Sequence, residues 1–326
     1  AGKAVVEPHP VDATNDTIYD LGSLTKPLVT AFLYLTAGRD LGLSLDEPAY
    51  RILPELDRLG KKEITIRHLL THTSGMPAWL PLYLRGTTIA EYLRQLRDCP
   101  LQARPGDRVV YSCPGYILLG EILQRCATEA LDRLAREQIL DPLGLSSTGY
   151  RPPEDWLPRV AATEDSCEYE RKLAGPDAAG YGGFRRGIIR GEVHDQNAWA
   201  VGGVAGNSGL FSTAAETARL AMEYMGTGSG LLDDESLRLA RTDQTPGRDE
   251  ARSIAFRISS RGETAAGPDL SREAFGHNGF PGTSLWVDPS RQRAYVLLTN
   301  RVHPRVIEGS DMLPLRGRFH TLASRI

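Results

Sequence analysis

The run YDLGSLTKPLVTAFLYL, residues 19–35, constrains both the start of the fold and the chemistry of the chain. An extended Tyr-Asp-Leu is followed by a glycine and then by apolar residues at helical spacing, which predicts a helix starting near Ser23. Ser23 and Lys26 are three residues apart, so they lie on one helical face. A serine hydroxyl is a nucleophile once a nearby base takes its proton, and a lysine whose charge is destabilised is such a base. The spacing alone equally fits a helix-terminal serine beside a solvated lysine.

Length and charge narrow the classes of protein. The chain has 326 residues, enough for one large domain or two interleaved ones, and a net charge of −3. This balance argues against nucleic acid or an anionic membrane as the main partner. No apolar stretch is long enough to span a bilayer, so we expect a soluble protein without a transmembrane segment. The compartment stays open: cytoplasmic, or exported with the leader removed.

The order of predicted elements divides the chain in three. Strands and helices are predicted at both ends, including a helix in AAETARLAMEYM and two strands, TSLWVD and RAYVLLTN, joined by a short turn. Helical runs such as TIAEYLRQLRDC and GYILLGEILQRCA fill the middle. We therefore predict a discontinuous α/β domain, residues 1–50 and 200–326, and an inserted mainly helical domain, residues 51–199. The active site is expected in the cleft between them.

Two further elements carry candidate polar groups. In PGDRVVYSCPGYILLGEIL, Tyr111 ends an extended stretch, and a helix is predicted to start just after Pro114. In FGHNGFPGTSLWVDP, His277 precedes Asn278 and Gly279, where a glycine allows another backbone or a ligand to approach closely. Each element also has a plain structural interpretation, as a packed tyrosine and as a simple turn.

Taken together and in this order, the three elements resemble the serine β-lactamase and penicillin-recognising enzyme superfamily. The resemblance is strongest to its class C branch, with the D-alanyl-D-alanine carboxypeptidases and family VIII carboxylesterases. The matching motifs are Ser23-Leu24-Thr25-Lys26, Tyr111-Ser112-Cys113 and His277-Asn278-Gly279. The resemblance covers nearly the whole chain and implies an α+β fold, an antiparallel sheet flanked by helices with an inserted helical domain.

The resemblance also implies roles for these residues. Ser23 would attack a carbonyl to give an acyl-enzyme, and Lys26, with its pKa lowered by about three units at a cost of roughly 4 kcal/mol, would take the proton or hold the network. Tyr111 would relay a proton to the leaving group and then activate water. The oxyanion hole would be the backbone N–H groups of Ser23 and Phe280. His277 would position a carboxylate or polarise Tyr111.

Cys113, Asn278 and Gly279 are implied to contact substrate, but Cys113 departs from the family motif, which has asparagine there. A thiol is a weak donor and a weak acceptor, so it replaces the amide poorly. This departure is expected to impair β-lactam and peptide turnover more than ester turnover. Cys113 itself is not the expected nucleophile, because no positioned base for it is visible. The remaining cysteines are expected to be reduced and partly buried.

Other polar groups receive structural interpretations. His68 and His72 have zinc-like spacing, but the glutamate such a site needs at position 69 is a leucine, so no metal is expected. His194-Asp195 is expected to support the cleft. A basic cluster is expected to be a solvated loop; its members are Arg185, Arg186 and Arg190.

The sequence thus predicts a serine acyl hydrolase that needs no cofactor. Its substrate is a small ester, a β-lactam or a peptide ending in D-alanine. A D-alanyl-D-alanine carboxypeptidase and a true class C β-lactamase stay open as alternatives. From another class of protein, a non-catalytic penicillin-recognising sensor or scaffold also stays open. The oligomeric state is not predicted.

Overall fold

A computed structural model describes residues 2–307 and 309–326 and shows a mixed α+β fold with antiparallel sheets. The strands are β1 (Lys3–Val5), β2 (Val11–Asp12), β3 (Tyr19–Asp20), β4 (Gly149–Tyr150), β5 (Leu210–Ser212), β6 (Arg257–Ile258), β7 (Phe275–Asn278), β8 (Ser284–Asp288) and β9 (Arg293–Leu297). The α-helices are α1 (Phe32–Thr36), α2 (Ile66–Leu70), α3 (Ile89–Asp98), α4 (Cys113–Ala127), α5 (Leu131–Ala135), α6 (Glu168–Ala174), α7 (Gln196–Ala200), α8 (Ala214–Met225), α9 (Asp234–Arg241) and α10 (Leu313–Ala323).

A four-stranded antiparallel sheet, in the order β6-β7-β8-β9, supports one wall of the candidate site. Successive side chains of a strand point to opposite faces. Accordingly, Leu285 and Val287 of β8 join the main core, against which α8 packs, while Trp286 joins a second cluster beside α10. Helices therefore cover both faces, which explains why β8 is buried along its whole length. The predicted strand pair and the predicted helix at α8 are confirmed.

The helical segment predicted near Ser23 is confirmed, although its first turns are irregular. A tight 3-10 turn at Gly22–Leu24 leads into a π-helical segment at Lys26–Ala31, which we call the wide turn, and then into α1. Pro27 lies at the start of the wide turn, where its missing N–H is tolerated. The wide turn is buried throughout, so Lys26 enters the core with its apolar neighbours.

Helix α4 begins at Cys113, one residue earlier than Pro114, which corrects the predicted start. The Ser112 side chain accepts a hydrogen bond from the Gly115 N–H and caps the helix. Pro114 is tolerated in the first turn because the N–H it lacks would have had no helical partner. Cys113 is thereby fixed at the N-terminus of a long, largely buried helix.

The predicted domain division at residues 50/51 and 199/200 stays a prediction. The middle segment supplies the helices α2 to α6 and also β4, which pairs with β5 in the sheet β3-β5-β4. Ile18, near the N-terminal end, bridges to Val160 of the middle segment. Within residues 2–307 and 309–326, none of the helices is both long enough and apolar enough to cross a membrane.

Candidate active site

Ser23 and Lys26 meet at the start of the first helical segment. The Lys26 Nζ donates to the Ser23 Oγ at 2.9 Å and to the main-chain oxygen of Asn207 at 3.0 Å. Lys26 is 0% exposed. The Asn207 side chain in turn donates to Asp195, a helix-capping carboxylate at the start of α7. The ammonium is therefore held in one place by partners that lie far away along the chain.

The surroundings of Lys26 set its charge. Burial by itself lowers the pKa of Lys26, but the ionisable groups of Cys113, Tyr111 and Asp195 outweigh this effect, and the pKa lies above its usual value. The prediction of a lowered pKa is therefore wrong for the resting protein. Cys113 and Tyr111 raise the pKa of Lys26 to the extent that they ionise, because the three groups titrate together, whereas the prediction assumed burial beside another cation. Lys26 is an ammonium at neutral pH.

Tyr111 lies beside the same two groups. The Lys26 Nζ is 5.2 Å from the centre of the Tyr111 ring, and hydrogen bonding to Ser23 and Lys26 lowers the pKa of the phenol. Burial is the larger effect and raises the pKa of Tyr111 above its usual value overall. The phenol is therefore neutral in the resting protein. The structure brings together the three groups that the sequence motifs single out, although they come from distant parts of the chain.

Two buried histidines flank Tyr111. The ring centres of His72 and His277 lie 4.4 Å and 5.8 Å from that of Tyr111. Burial first, and then nearby cations, hold the pKa of both histidines well below the usual value, so both are neutral. His277 Nδ1 lies 2.8 Å from the main-chain oxygen of Asn278, so this nitrogen carries the proton and Nε2 is an acceptor. His72 has the opposite arrangement, because its Nδ1 accepts from the Ser112 N–H and its Nε2 is a donor.

The turn after β7 packs directly against the backbone just before Ser23. Thr283 donates to the main-chain oxygen of Leu21 at 2.8 Å, and Gly279 lies against the same oxygen. Gly22 has a φ of +54°, and a Cβ there would lie 2.5 Å from Pro281. The Phe280 N–H has no acceptor within the described part of the chain. A free N–H at this point fits the predicted oxyanion hole, which stays a proposal.

Cys113 and Asn278 lie on opposite sides of Tyr111. The Cys113 side chain lies close enough to Lys26 to interact with it, in the place that the motif gives to asparagine. Burial raises the pKa of the Cys113 thiol, so it is not a thiolate nucleophile. The Asn278 side chain accepts from Ser284 Oγ at 2.8 Å and lines the cavity beyond Tyr111.

Two cavities meet at Ser23, Tyr111 and Phe280. The first has a volume of about 310 Å³ and is the more basic. Its walls include His277, Asn278, Gly279 and four arginines, namely Arg252, Arg257, Arg301 and Arg316. The second has a volume of about 260 Å³ and a mainly apolar lining. We call them the arginine cavity and the apolar cavity. A substrate whose carbonyl group lies at Ser23 would have one half in each cavity.

The arginine cavity has an excess of positive charge. Glu250 pairs with both Arg252 and Arg257, at 2.6 Å and 3.3 Å. Arg316 donates to the main-chain oxygen of Gly279 and has no carboxylate partner among the described residues. Burial and the nearby Arg301 lower the pKa of Arg316 to about 10, so it stays charged. These residues are suited to bind a carboxylate.

Comparison with known proteins identifies the family of the chain. The family model described as Beta-lactamase matches residues 2–311. The chain belongs to the beta-lactamase family. A relative from Salmonella typhimurium, named putative D-alanyl-D-alanine carboxypeptidase, is 30% identical over 91% of this chain and 72% of its own length.

Solved structures show the same beta-lactamase fold. A class C beta lactamase from Rhodobacter sphaeroides has a TM-score of 0.72 at 18% identity and covers 100% of this chain and 90% of its own. EstCE1, described as a hydrolase with promiscuous acyltransferase activity, has a TM-score of 0.70 at 21% identity and covers 94% of this chain and 85% of its own. The predicted family and the predicted fold class are confirmed.

Two further polar candidates of this beta-lactamase-family protein, His68 and His194, have structural partners. His68 Nδ1 accepts from the Thr65 N–H and caps α2. His194 pairs with Glu164 at 2.9 Å and stacks on Phe280, so it supports the cleft wall. Among the described residues, no group of three or more His, Cys, Asp or Glu side chains is placed to hold a metal ion.

Arg185 corrects the prediction of a solvated basic loop. It is buried, donates to the main-chain oxygens of Val193 and His194, and lies over the Trp199 ring. The carbonyl groups and the indole replace water around the guanidinium. Sequence analysis also missed Arg252, Arg316 and Glu170 of the two cavities, because no local motif surrounds them.

Proposed function

We propose that the protein is a serine acyl hydrolase that acts through a covalent acyl-enzyme on Ser23. The observation that carries the proposal is the 2.9 Å contact between Lys26 Nζ and Ser23 Oγ, with the Tyr111 phenol beside both groups. Among the described residues, no metal site offers another way to activate a nucleophile. A hydroxyl held by a buried lysine and a buried phenol is suited to nucleophilic catalysis.

In the proposed mechanism, Lys26 and Tyr111 titrate as a pair. The resting pair is fully protonated, because both pKa values lie above their usual range. When the pair has lost one proton, it accepts the proton of Ser23 as Oγ attacks the carbonyl. The N–H groups of Ser23 and Phe280 stabilise the oxyanion, a contribution of about 3–4 kcal/mol for such a donor. Tyr111 then protonates the leaving group.

Deacylation would use the same groups in reverse order. A water molecule takes the place of the departed group, and Tyr111 removes its proton. In the resting protein, where Tyr111 is protonated, His277 Nε2 is an acceptor without a hydrogen-bond partner in the described part of the chain, and it would receive the Tyr111 hydroxyl proton in a hydrogen bond. Of the two roles predicted for His277, polarising Tyr111 therefore fits better than binding a carboxylate, which needs a donor.

We place the leaving group in the arginine cavity. Four arginines line this cavity and Glu250 pairs with only two of them, Arg252 and Arg257, so a leaving group with a carboxylate would be attracted and oriented. A peptide ending in D-alanine or a β-lactam has such a carboxylate. The name of the Salmonella relative, putative D-alanyl-D-alanine carboxypeptidase, supports the peptide.

A second candidate is hydrolysis of simple esters, and Cys113 favours it. The thiol sits beside Lys26 but cannot both donate to a substrate carbonyl and accept from its amide as an asparagine would. Esters need less of this help, because their leaving groups depart more easily. The two candidates share the acyl-enzyme and differ only in the substrate.

Mass spectrometry after incubation with benzylpenicillin or a fluorophosphonate tests the proposal. An adduct on Ser23 from both reagents supports a working nucleophile with a β-lactam site, and an adduct from the phosphonate alone supports the esterase. No adduct on Ser23 from either reagent contradicts the enzyme and favours the non-catalytic sensor. The rates of hydrolysis of a D-Ala-D-Ala peptide and of its C-terminal amide then show how much the terminal carboxylate contributes to turnover.

A further inference from the structure

The apolar cavity contains a buried carboxyl group with an unpartnered oxygen that the proposed mechanism does not use. Its walls are formed largely by apolar and aromatic side chains, among them Trp79, Leu173 and Phe280, and it opens onto Ser23 and Tyr111. Glu170 of α6 also lines it. A carboxyl group in such surroundings is costly unless its oxygens are hydrogen-bonded. The position of Glu170 therefore needs a physical explanation.

Only one of the two carboxyl oxygens of Glu170 has a partner. Oε1 accepts from the Gln196 N–H at 2.9 Å, which fixes the side chain. Oε2 is buried and has no hydrogen-bond partner within the described residues. The whole residue is 6% exposed. A buried, oriented oxygen without a partner, on the wall of a cavity that reaches the nucleophile, is placed to receive a donor from a ligand.

The charges around Glu170 decide which donor fits. Burial first, and then the carboxylates of Asp195 and Glu164, raise the pKa of Glu170 well above its usual value, while Arg185 is the nearby cation. Asp195 also lines the cavity. An ammonium bound there would favour the ionised form of Glu170. The lining residues of the apolar cavity include no lysine or arginine within the described chain. This local excess of carboxylates disfavours an anion and favours a cation. The arginine cavity on the other side of Ser23 has the opposite charge.

We propose that the apolar cavity binds an acyl group with a terminal primary amine, and that the ammonium donates to Glu170 Oε2. The inference rests on the proposed function, because it places the acyl half of the substrate of Ser23. The volume of about 260 Å³ allows only a short acyl chain between the carbonyl and the amine. Combined with a carboxylate in the arginine cavity, the preferred substrate is a zwitterion with its scissile bond between the two charges.

Matched acyl groups test the inference. The probes are anilides of 5-amino-2-nitrobenzoic acid, whose chromogenic leaving group has a carboxylate. β-Alanyl is compared with butyryl, and 4-aminobutyryl with pentanoyl, so that each pair differs only by an ammonium in place of a methyl group. Because the ammonium would form a charged hydrogen bond, we expect kcat/KM to be at least about tenfold higher for the amine-containing anilide than for its methyl counterpart in one or both pairs.

Glu170→Gln keeps the shape and the oxygen that accepts from Gln196, but its side chain cannot ionise to pair with an ammonium. We expect this substitution to reduce the preference for the amine to about threefold or less. Glu168→Gln is the matched control, since Glu168 is an exposed residue of the same helix and should keep the wild-type preference. Equal rates for the two members of both pairs in the wild type overturn the inference. A preference that survives Glu170→Gln also overturns it.

Binding to the Ser23→Ala protein separates this inference from the proposed function. Calorimetry with the same uncleaved anilides reports on the cavity whether or not the wild type turns them over. An affinity at least about tenfold higher for the amine member, lost in the Ser23→Ala, Glu170→Gln double variant, supports the cavity even if no hydrolysis is found. Equal affinities contradict it even if Ser23 proves to be a working nucleophile.

Discussion

Gly279 and Leu21 are in direct backbone contact, 258 residues apart in sequence. A Cβ added to Gly279 would lie 2.3 Å from the Leu21 main-chain oxygen and 2.0 Å from Thr283 Oγ1. Since Leu21 is two residues before Ser23, the turn after β7 sets the position of Ser23, the proposed nucleophile. The oxyanion hole proposed for Phe280 depends on the same contact.

Gly279→Ala is therefore expected to damage both stability and activity. The methyl group has to displace the Leu21 backbone or Thr283, a strain of about 1–3 kcal/mol by analogy with other overpacked sites. A displacement of about 1 Å near the nucleophile predicts a loss of kcat of about 100-fold. Urea unfolding and the rate of ester hydrolysis measure the two effects. Gly182→Ala is the control, because nothing lies within 4 Å of its Cβ position; equal behaviour of the two variants would contradict the contact.

The pH dependence of activity follows from the resting charges of Lys26 and Tyr111. Both pKa values are raised, so the pair loses its first proton only at alkaline pH. The reactive form is the deprotonated one, and the rate of acylation should therefore rise with pH beyond pH 9. Stopped-flow acylation of wild type and Tyr111→Phe between pH 6 and pH 10 checks this. If the rate already reaches a plateau at pH 7, the pair loses its proton much more readily than these raised pKa values indicate, and the prediction is contradicted.

The sequence was sufficient to predict that Ser23, Lys26 and Tyr111 lie together and which elements hold them. Ser23 and Lys26 lie on one helical turn, and Tyr111 precedes a helix that the pattern predicts to within a few residues. These are local relationships, which hydrophobic periodicity and capping residues determine. The family resemblance then predicted that the three groups converge, which helical spacing alone could not.

The charges and the cavities could not be predicted in the same way. The pKa of Lys26 depends on Cys113 and Tyr111, whose distance from the amine is a property of the packed core. The arginine cavity collects side chains from segments around Arg252 and Arg316, and no motif surrounds either residue. Arg185 was mistaken for a solvated residue because isolated charges are usually exposed.

Cys113→Asn tests how much the departure from the family motif matters. The amide would add a donor and an acceptor beside Lys26, so we expect β-lactam acylation to rise by about tenfold relative to ester hydrolysis. A burst assay with nitrocefin and a steady-state assay with nitrophenyl acetate give the ratio. Cys126→Asn is the control, because it makes the same thiol-to-amide change at the far end of α4. An unchanged ratio would show that the thiol does not limit β-lactam turnover.

Arg316→Met tests the binding of a carboxylate in the arginine cavity. The guanidinium is buried without a carboxylate partner among the described residues, and burial lowers its pKa to about 10, so a substrate carboxylate would stabilise its charge. We expect KM for a D-Ala-D-Ala peptide to rise at least about tenfold, with a much smaller change for the C-terminal amide. Arg318→Met, an exposed residue of the same helix, should change neither. An equal effect on both peptides would assign Arg316 a purely structural role at Gly279.

His320 should make the protein sensitive to acid. It is fully buried behind the arginine cavity, its Nε2 lies 2.9 Å from Ser284 Oγ, and burial lowers its pKa from 6.5 to about 3. Between these two values the unfolded chain binds a proton that the native protein does not. The contribution to stability is therefore complete above pH 6.5 and is lost as the pH falls, by up to about 5 kcal/mol near pH 3.

The variant His320→Gln keeps an acceptor or donor for Ser284 but cannot be protonated. Its free energy of unfolding should depend less on pH between pH 4 and pH 6, by about 1 kcal/mol for each pH unit. Urea unfolding at several pH values measures both slopes, and His9→Gln, an exposed histidine, should keep the wild-type slope. Ser284 donates to Asn278, so His320 Nε2 is the donor to Ser284, and acid would add a proton at the buried Nδ1, which has no hydrogen-bond partner among the described residues. Parallel curves for wild type and His320→Gln would show that the native protein accommodates a charged His320 at this position.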